Sequence, residues 1–61
     1  MKTEIAAAII EKHVSDWDPE VLLNAAKHAL SGGSPWTFEG RPEDASEMDS
    51  FCRAFEEIKA A

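Results

Sequence analysis

The stretch Asp18–Gly33, DPEVLLNAAKHALSGG, carries its own start and stop signals. Asp18 offers an N-cap carboxylate, Pro19 takes the first helical position, where a missing N–H costs nothing, and Glu20 places a negative charge in the first turn. Trp17 stands just before the cap, where a hydrophobic staple would reach Leu22. Leu22, Leu23, Ala26, Ala29 and Leu30 recur at helical spacing and form one apolar stripe. Gly32-Gly33 ends the helix, because glycine takes the left-handed C-terminal conformation without a side-chain penalty. The pattern predicts a helix over 19–31.

On the N-terminal side, Thr3 reads as an N-cap and Glu4 sits in the first turn. Ile5, Ala6, Ile9, Ile10 and His13 share one helical face, with Glu4, Glu11 and Lys12 opposite, so a first helix runs to about Val14. On the C-terminal side, SGGSPWTFEGR over 31–41 contains three glycines and a proline and reads as a loop. Within it Trp36-Thr37-Phe38 alternates like a short extended piece, but a lone strand has no partner and no sheet follows. A third helix begins near Pro42, where Pro42-Glu43-Asp44 repeats the proline-then-acid signal, or near Ser46. Ala45, Met48, Phe51, Cys52, Phe55 and Ile58 give it a continuous apolar face. Asp49–Arg53 and Arg53–Glu57 are i,i+4 pairs worth about 0.2–0.5 kcal/mol each. The predicted fold is all-α: one domain over 1–61, a helical hairpin across Ser15–Asp18, and an amphipathic acidic third helix packed on it through Phe51, Phe55 and Ile58.

Sixty-one residues make one small domain, which buries only about 60% of the surface its unfolded chain exposes. The single cysteine, Cys52, excludes an internal disulfide framework and fits a reducing cytoplasm. The apolar run Ile5–Ile10 is too short for a signal-peptide core or a membrane span. A soluble, cytoplasmic protein is the expectation, and so thin a core leaves homodimerisation open.

No residue pattern names a reaction. His13 and Cys52 both fall on apolar faces, but a hydrogen-bonded histidine beside a small buried thiol needs no catalytic role. His13, His28 and Cys52 are scattered singly, without the paired spacing zinc requires. Asp16-x-Asp18-x-Glu20 begins like a calcium loop, yet its sixth position is Val21 instead of glycine and its twelfth is Lys27 instead of an acid. The chain is therefore read as non-enzymatic and without cofactors. A helix-turn-helix would need basic side chains on its recognition helix. The second helix offers only Asn24, Lys27 and His28, so direct nucleic-acid binding is excluded on electrostatic grounds.

Charge supplies the functional expectation. Twelve Asp+Glu face six Lys+Arg, and seven of those acids fall between Glu39 and Glu57, where only Arg41 and Arg53 are basic. Such a field repels nucleic acid and anionic membranes and attracts basic protein surfaces. In size, acidity and lack of a catalytic motif, the whole chain resembles small phage-encoded inhibitors of the anti-CRISPR and nucleic-acid-mimic type. That resemblance rests on no motif and transfers no functional residue. It implies a protein-binding module that docks an acidic helix face on a basic partner surface, one able to hold nucleic acid. The expected contact residues are Glu43, Asp44, Glu47, Asp49, Glu56 and Glu57, with Trp36 either an interface anchor or, together with Phe38, a lid on the core. The alternative is an assembly module that associates through apolar faces, with Phe51, Phe55, Trp36 and Leu30 carrying affinity.

Overall fold

The structure is a computed structural model that describes residues 2–61. Among these, the elements in chain order are α1 (Lys2–His13), α2 (Pro19–Leu30), a 3₁₀ turn (Pro35–Thr37) and α3 (Ala45–Ala60), with no strand. The all-α, three-helix expectation is met. The chain reverses between Val14 and Asp18, and α1 and α2 share the most extensive packing. The third helix packs on both, more on α1 than on α2.

Alanine makes the close packing possible. Ala6, Ala25, Ala26, Ala29 and Ala54 are all buried, and their short side chains let helix backbones approach. Ile10, Val14, Leu22, Met48, Phe51, Phe55 and Ile58 fill the space left between them. The α2 stripe is rotated from the expected one. Ala25 joins Leu22, Ala26 and Ala29 inside, while Leu23 and Leu30 emerge partly exposed. Likewise Ile5 leaves the α1 face to solvent, and on α3 Ala45 is exposed while Ala54, at the other side of the expected stripe, is buried. In each helix the sequence offered more apolar positions than one contact face can cover.

The helix ends correct three further expectations. Thr3 lies inside α1 and does not cap it. Asp18 is the α2 N-cap residue, but its side chain makes no capping hydrogen bond. The third helix starts at Ala45, one residue before the alternative start at Ser46 and not at Pro42, but Ser46 is not its cap. Asp44 caps it, its Oδ2 accepting the backbone N–H groups of Ser46 and Glu47 at 3.1 Å each. One carboxylate thus satisfies two of the donors that every helix N-terminus leaves open.

At the end of α2, Gly32 adopts φ +87°. Its N–H donates to Ala29 O, and that of Gly33 donates to His28 O. That double bond pattern is a Schellman motif, and it needs Gly32 to be glycine. Gly33 is required for a different reason. A Cβ there would lie 2.5–2.7 Å from three atoms of the His28 ring. Gly33→Ala is therefore expected to destabilise the domain by about 1–3 kcal/mol through overpacking. Urea denaturation of G33A, H28A and the double variant checks this. The double variant should cost less than the sum of the singles, since the clash goes with the ring.

Candidate partner-binding surface

Residues 31–41 are held by His28. Its Nε2 lies 2.9 Å from Ser34 O and 2.9 Å from Thr37 Oγ1. A carbonyl can only accept, so Nε2 carries the proton and donates to both oxygens. Thr37 Oγ1 donates in turn to Ser34 O at 2.9 Å. Pro35 pre-sets the backbone of the 3₁₀ turn, and Ser34 Oγ accepts the N–H of Trp36 at 3.2 Å.

The turn decides the fates of Trp36 and Phe38. In the extended piece expected from sequence, residues two apart share a face. In a 3₁₀ turn they diverge by roughly 120° around the axis. Phe38 accordingly turns inward, its ring 5.8 Å from Phe51, 6.3 Å from Trp17 and 5.7 Å from His28. Trp36 turns outward and is 62% exposed. Phe38 is the lid; Trp36 is not.

The six acids foreseen as contacts separate into distinct roles. Asp44 is engaged as the cap of α3. Glu57 is clasped by α1: Lys12 Nζ donates to Oε2 at 2.6 Å and His13 Nε2 to Oε1 at 3.0 Å. Of the two expected i,i+4 pairs, Arg53–Glu57 is absent among the described residues and Arg53–Asp49 forms, Arg53 Nε meeting Asp49 Oδ2 at 3.2 Å. That pair is largely exposed on both sides and contributes little. Glu43, Glu47 and Glu56 make no side-chain hydrogen bond or ion pair among the described residues. Nor do the acids share one face. At 100° per residue, Glu47 lies roughly 160° around α3 from Asp49, whereas Glu56 is within about 20° of it.

Asp49 and Glu56 flank Cys52. The thiol pKa is raised, first by partial burial and then by the negative charges of these two neighbours. Cys52, Ala45 and Met48 form the apolar part of a groove of about 350 Å³, bordered by Trp36, Glu43 and Asp49. His13, bound to Glu57, sits against the side of α3 roughly 140° from Cys52, so the two do not form a dyad. Among the described residues no cluster of three His, Cys, Asp or Glu side chains is placed to hold a metal ion. None of the described helices is long and apolar enough to cross a membrane.

Two features had little or no sequence signal. The Glu57 clasp joins residues 44 and 45 positions apart, beyond the reach of any local spacing rule. A second groove of about 340 Å³, lined chiefly by Ile5, Ile9, Leu30 and Ile58, exists because the apolar stripes are wider than their contacts. No protein-family model, curated protein or solved structure matches the chain.

The Glu57 clasp makes a pH prediction. Hydrogen bonds from Lys12, then from His13, lower the Glu57 pKa below its ordinary 4.5. The folded state therefore binds this proton less readily than the unfolded chain. The stabilisation is present in full above about 4.5 and is lost as pH falls through the lowered folded value. Urea denaturation of wild type and E57Q at pH 7 and pH 3 checks it. Wild type should be the more stable at pH 7 and the difference should shrink at pH 3; an equal difference at both pH values would exclude the clasp.

Proposed function

We propose that this chain is a non-enzymatic binding module that docks on a basic surface of a partner protein. The observation that carries this reading is the company Trp36 keeps. A largely exposed indole stands beside Glu43, which has no partner within the described chain, and Asp49, whose one ion pair, with Arg53, is itself exposed. Exposed tryptophans are favoured anchors of protein interfaces, and carboxylates without internal partners are available to complement cations. Glu43 and Asp49 form the contact set around Trp36, Glu56 continues the Asp49 side of α3 about two turns further on, and Glu47 extends the field on another side of α3. Asp44 and Glu57 add to that field but have structural work of their own. A basic surface that holds nucleic acid is the chemistry such a field complements. Docking there would inhibit the partner, in the manner of small acidic phage inhibitors.

Immobilised wild type and an E43K/E47K/E56K variant, exposed to native lysate at about 0.1 M and about 1 M salt, test this. Screening length falls from about 10 Å to 3 Å over that range. The expected result is a basic partner held by wild type at low salt, released at high salt and not bound by the variant. A partner held equally under all these conditions would overturn the reading. Asp44 is left out because reversing it would remove the α3 cap, worth about 1 kcal/mol.

The groove of Ile5 and Leu30 favours a second reading, an assembly module or homodimer formed through apolar faces. Ile5 is 58% and Leu30 42% exposed. Phe51 and Phe55 cannot take part, since both are fully buried inside the domain. On this reading the melting temperature should rise with protein concentration and stop doing so in I5E; a concentration-independent wild-type melt would exclude a homodimer.

A further inference from the structure

We infer that the groove beside Trp36 receives a single arginine side chain of the partner, an inference that rests on the acidic-docking reading above. The groove combines three kinds of surface. Trp36 supplies an exposed aromatic face, Glu43 and Asp49 supply carboxylates, and Ala45, Met48 and Cys52 supply apolar wall. Each matches one part of an arginine. The planar guanidinium stacks on an indole and pairs with a carboxylate through two parallel N–H groups, while its methylene stem covers apolar surface. A lysine ammonium is a compact, strongly hydrated point charge and makes neither the stack nor the fork. At about 350 Å³ the groove lies at the small end of ligand-site volumes, suited to one side chain and too small for a helix. An anionic ligand is excluded by the two carboxylates, and a purely apolar one would leave Glu43 desolvated without a partner.

The chain's own Arg53 already touches Asp49. Because that pair is exposed, an incoming guanidinium displaces it at small cost. Arg53 thus acts as a weak competitor, which gives the inference a consequence of opposite sign to the usual loss-of-contact variant.

The test is a titration of the ¹⁵N-labelled full chain with acetyl-Gly-Gly-Arg-Gly-Gly-amide and its lysine counterpart, followed by NMR. The expected result is a saturable shift of the Trp36 indole N–H and of the Ala45 and Asp49 amides. Arginine should bind roughly two- to fivefold more tightly than lysine, and W36L should reduce that preference to what the carboxylate fork alone supplies. R53Q should tighten arginine binding. Equal affinity for the two peptides, a preference undiminished in W36L, or no shift at the groove with either would overturn the inference. If the lysate partner is still released by salt and charge reversal while the peptides show no preference, acidic docking stands and the arginine assignment falls. If the peptides discriminate but no salt-sensitive partner is retained, the groove stands and the docking reading falls.

Discussion

The ring of Phe51 is the contact on which the rest of the structure depends. It lies 4.7 Å from Phe55, 5.2 Å from Trp17 and 5.8 Å from Phe38. Those neighbours come from α3 itself, from the α1–α2 connection and from the loop before α3, so one side chain joins three parts of the chain. The alanine-rich helix contacts bring backbones close but bury little apolar area each. Favourable aromatic pairs contribute about 0.5–1.5 kcal/mol apiece beyond simple burial. A domain of this length has only about 3–9 kcal/mol of stability in all. The aromatic cluster is therefore comparable to the whole margin, and no disulfide or metal is needed to explain why the loop stays closed.

The same cluster sets the candidate site. With Phe38 fixed among Phe51, Trp17 and His28, the preceding 3₁₀ turn has no freedom to rotate, and Trp36 is held facing away from the core. His28 strengthens this by holding Ser34 and Thr37 from beneath Gly33. An exposed aromatic on a mobile loop must be ordered on binding and gives up affinity to entropy. On a fastened turn, much of that cost is met in folding. The link between core and surface is thus a steric one, made through residues two apart in sequence.

Local chemistry made the helices legible. Asp18-Pro19-Glu20 and Gly32 mark the ends of α2 through their own backbone preferences, with no help from tertiary structure. Where two local signals competed, the sequence was ambiguous: Pro42 and Ser46 can each open a helix, and the cap is Asp44 between them, whose Oδ2 reaches two N–H groups at once. Which of several apolar residues faces inward was not legible, because Leu23, Leu30 and Ile5 lie at the margins of stripes whose width exceeds the contact. Long-range pairing was invisible. Nothing near Glu57 announces Lys12 and His13, and Arg53, its obvious local partner, is turned toward Asp49 instead.

That misassignment changes what the acidity means. Counted along the sequence, the acids of the C-terminal third look like one patch serving one purpose. In the fold Asp44 closes a helix end, Glu57 ties α3 to α1, and Glu47 faces a different side from Asp49 and Glu56. Net charge of −6 still acts as a whole at long range, since capping does not neutralise Asp44 and the field depends on the total. Such a field governs how fast a basic partner arrives and how strongly salt slows it. The lifetime of a complex depends instead on groups desolvated at short range, and for a basic partner Trp36 with its neighbouring carboxylates offers such a group. On the proposed docking reading, steering therefore belongs to the composition, and recognition to the turn that the aromatic cluster holds in place.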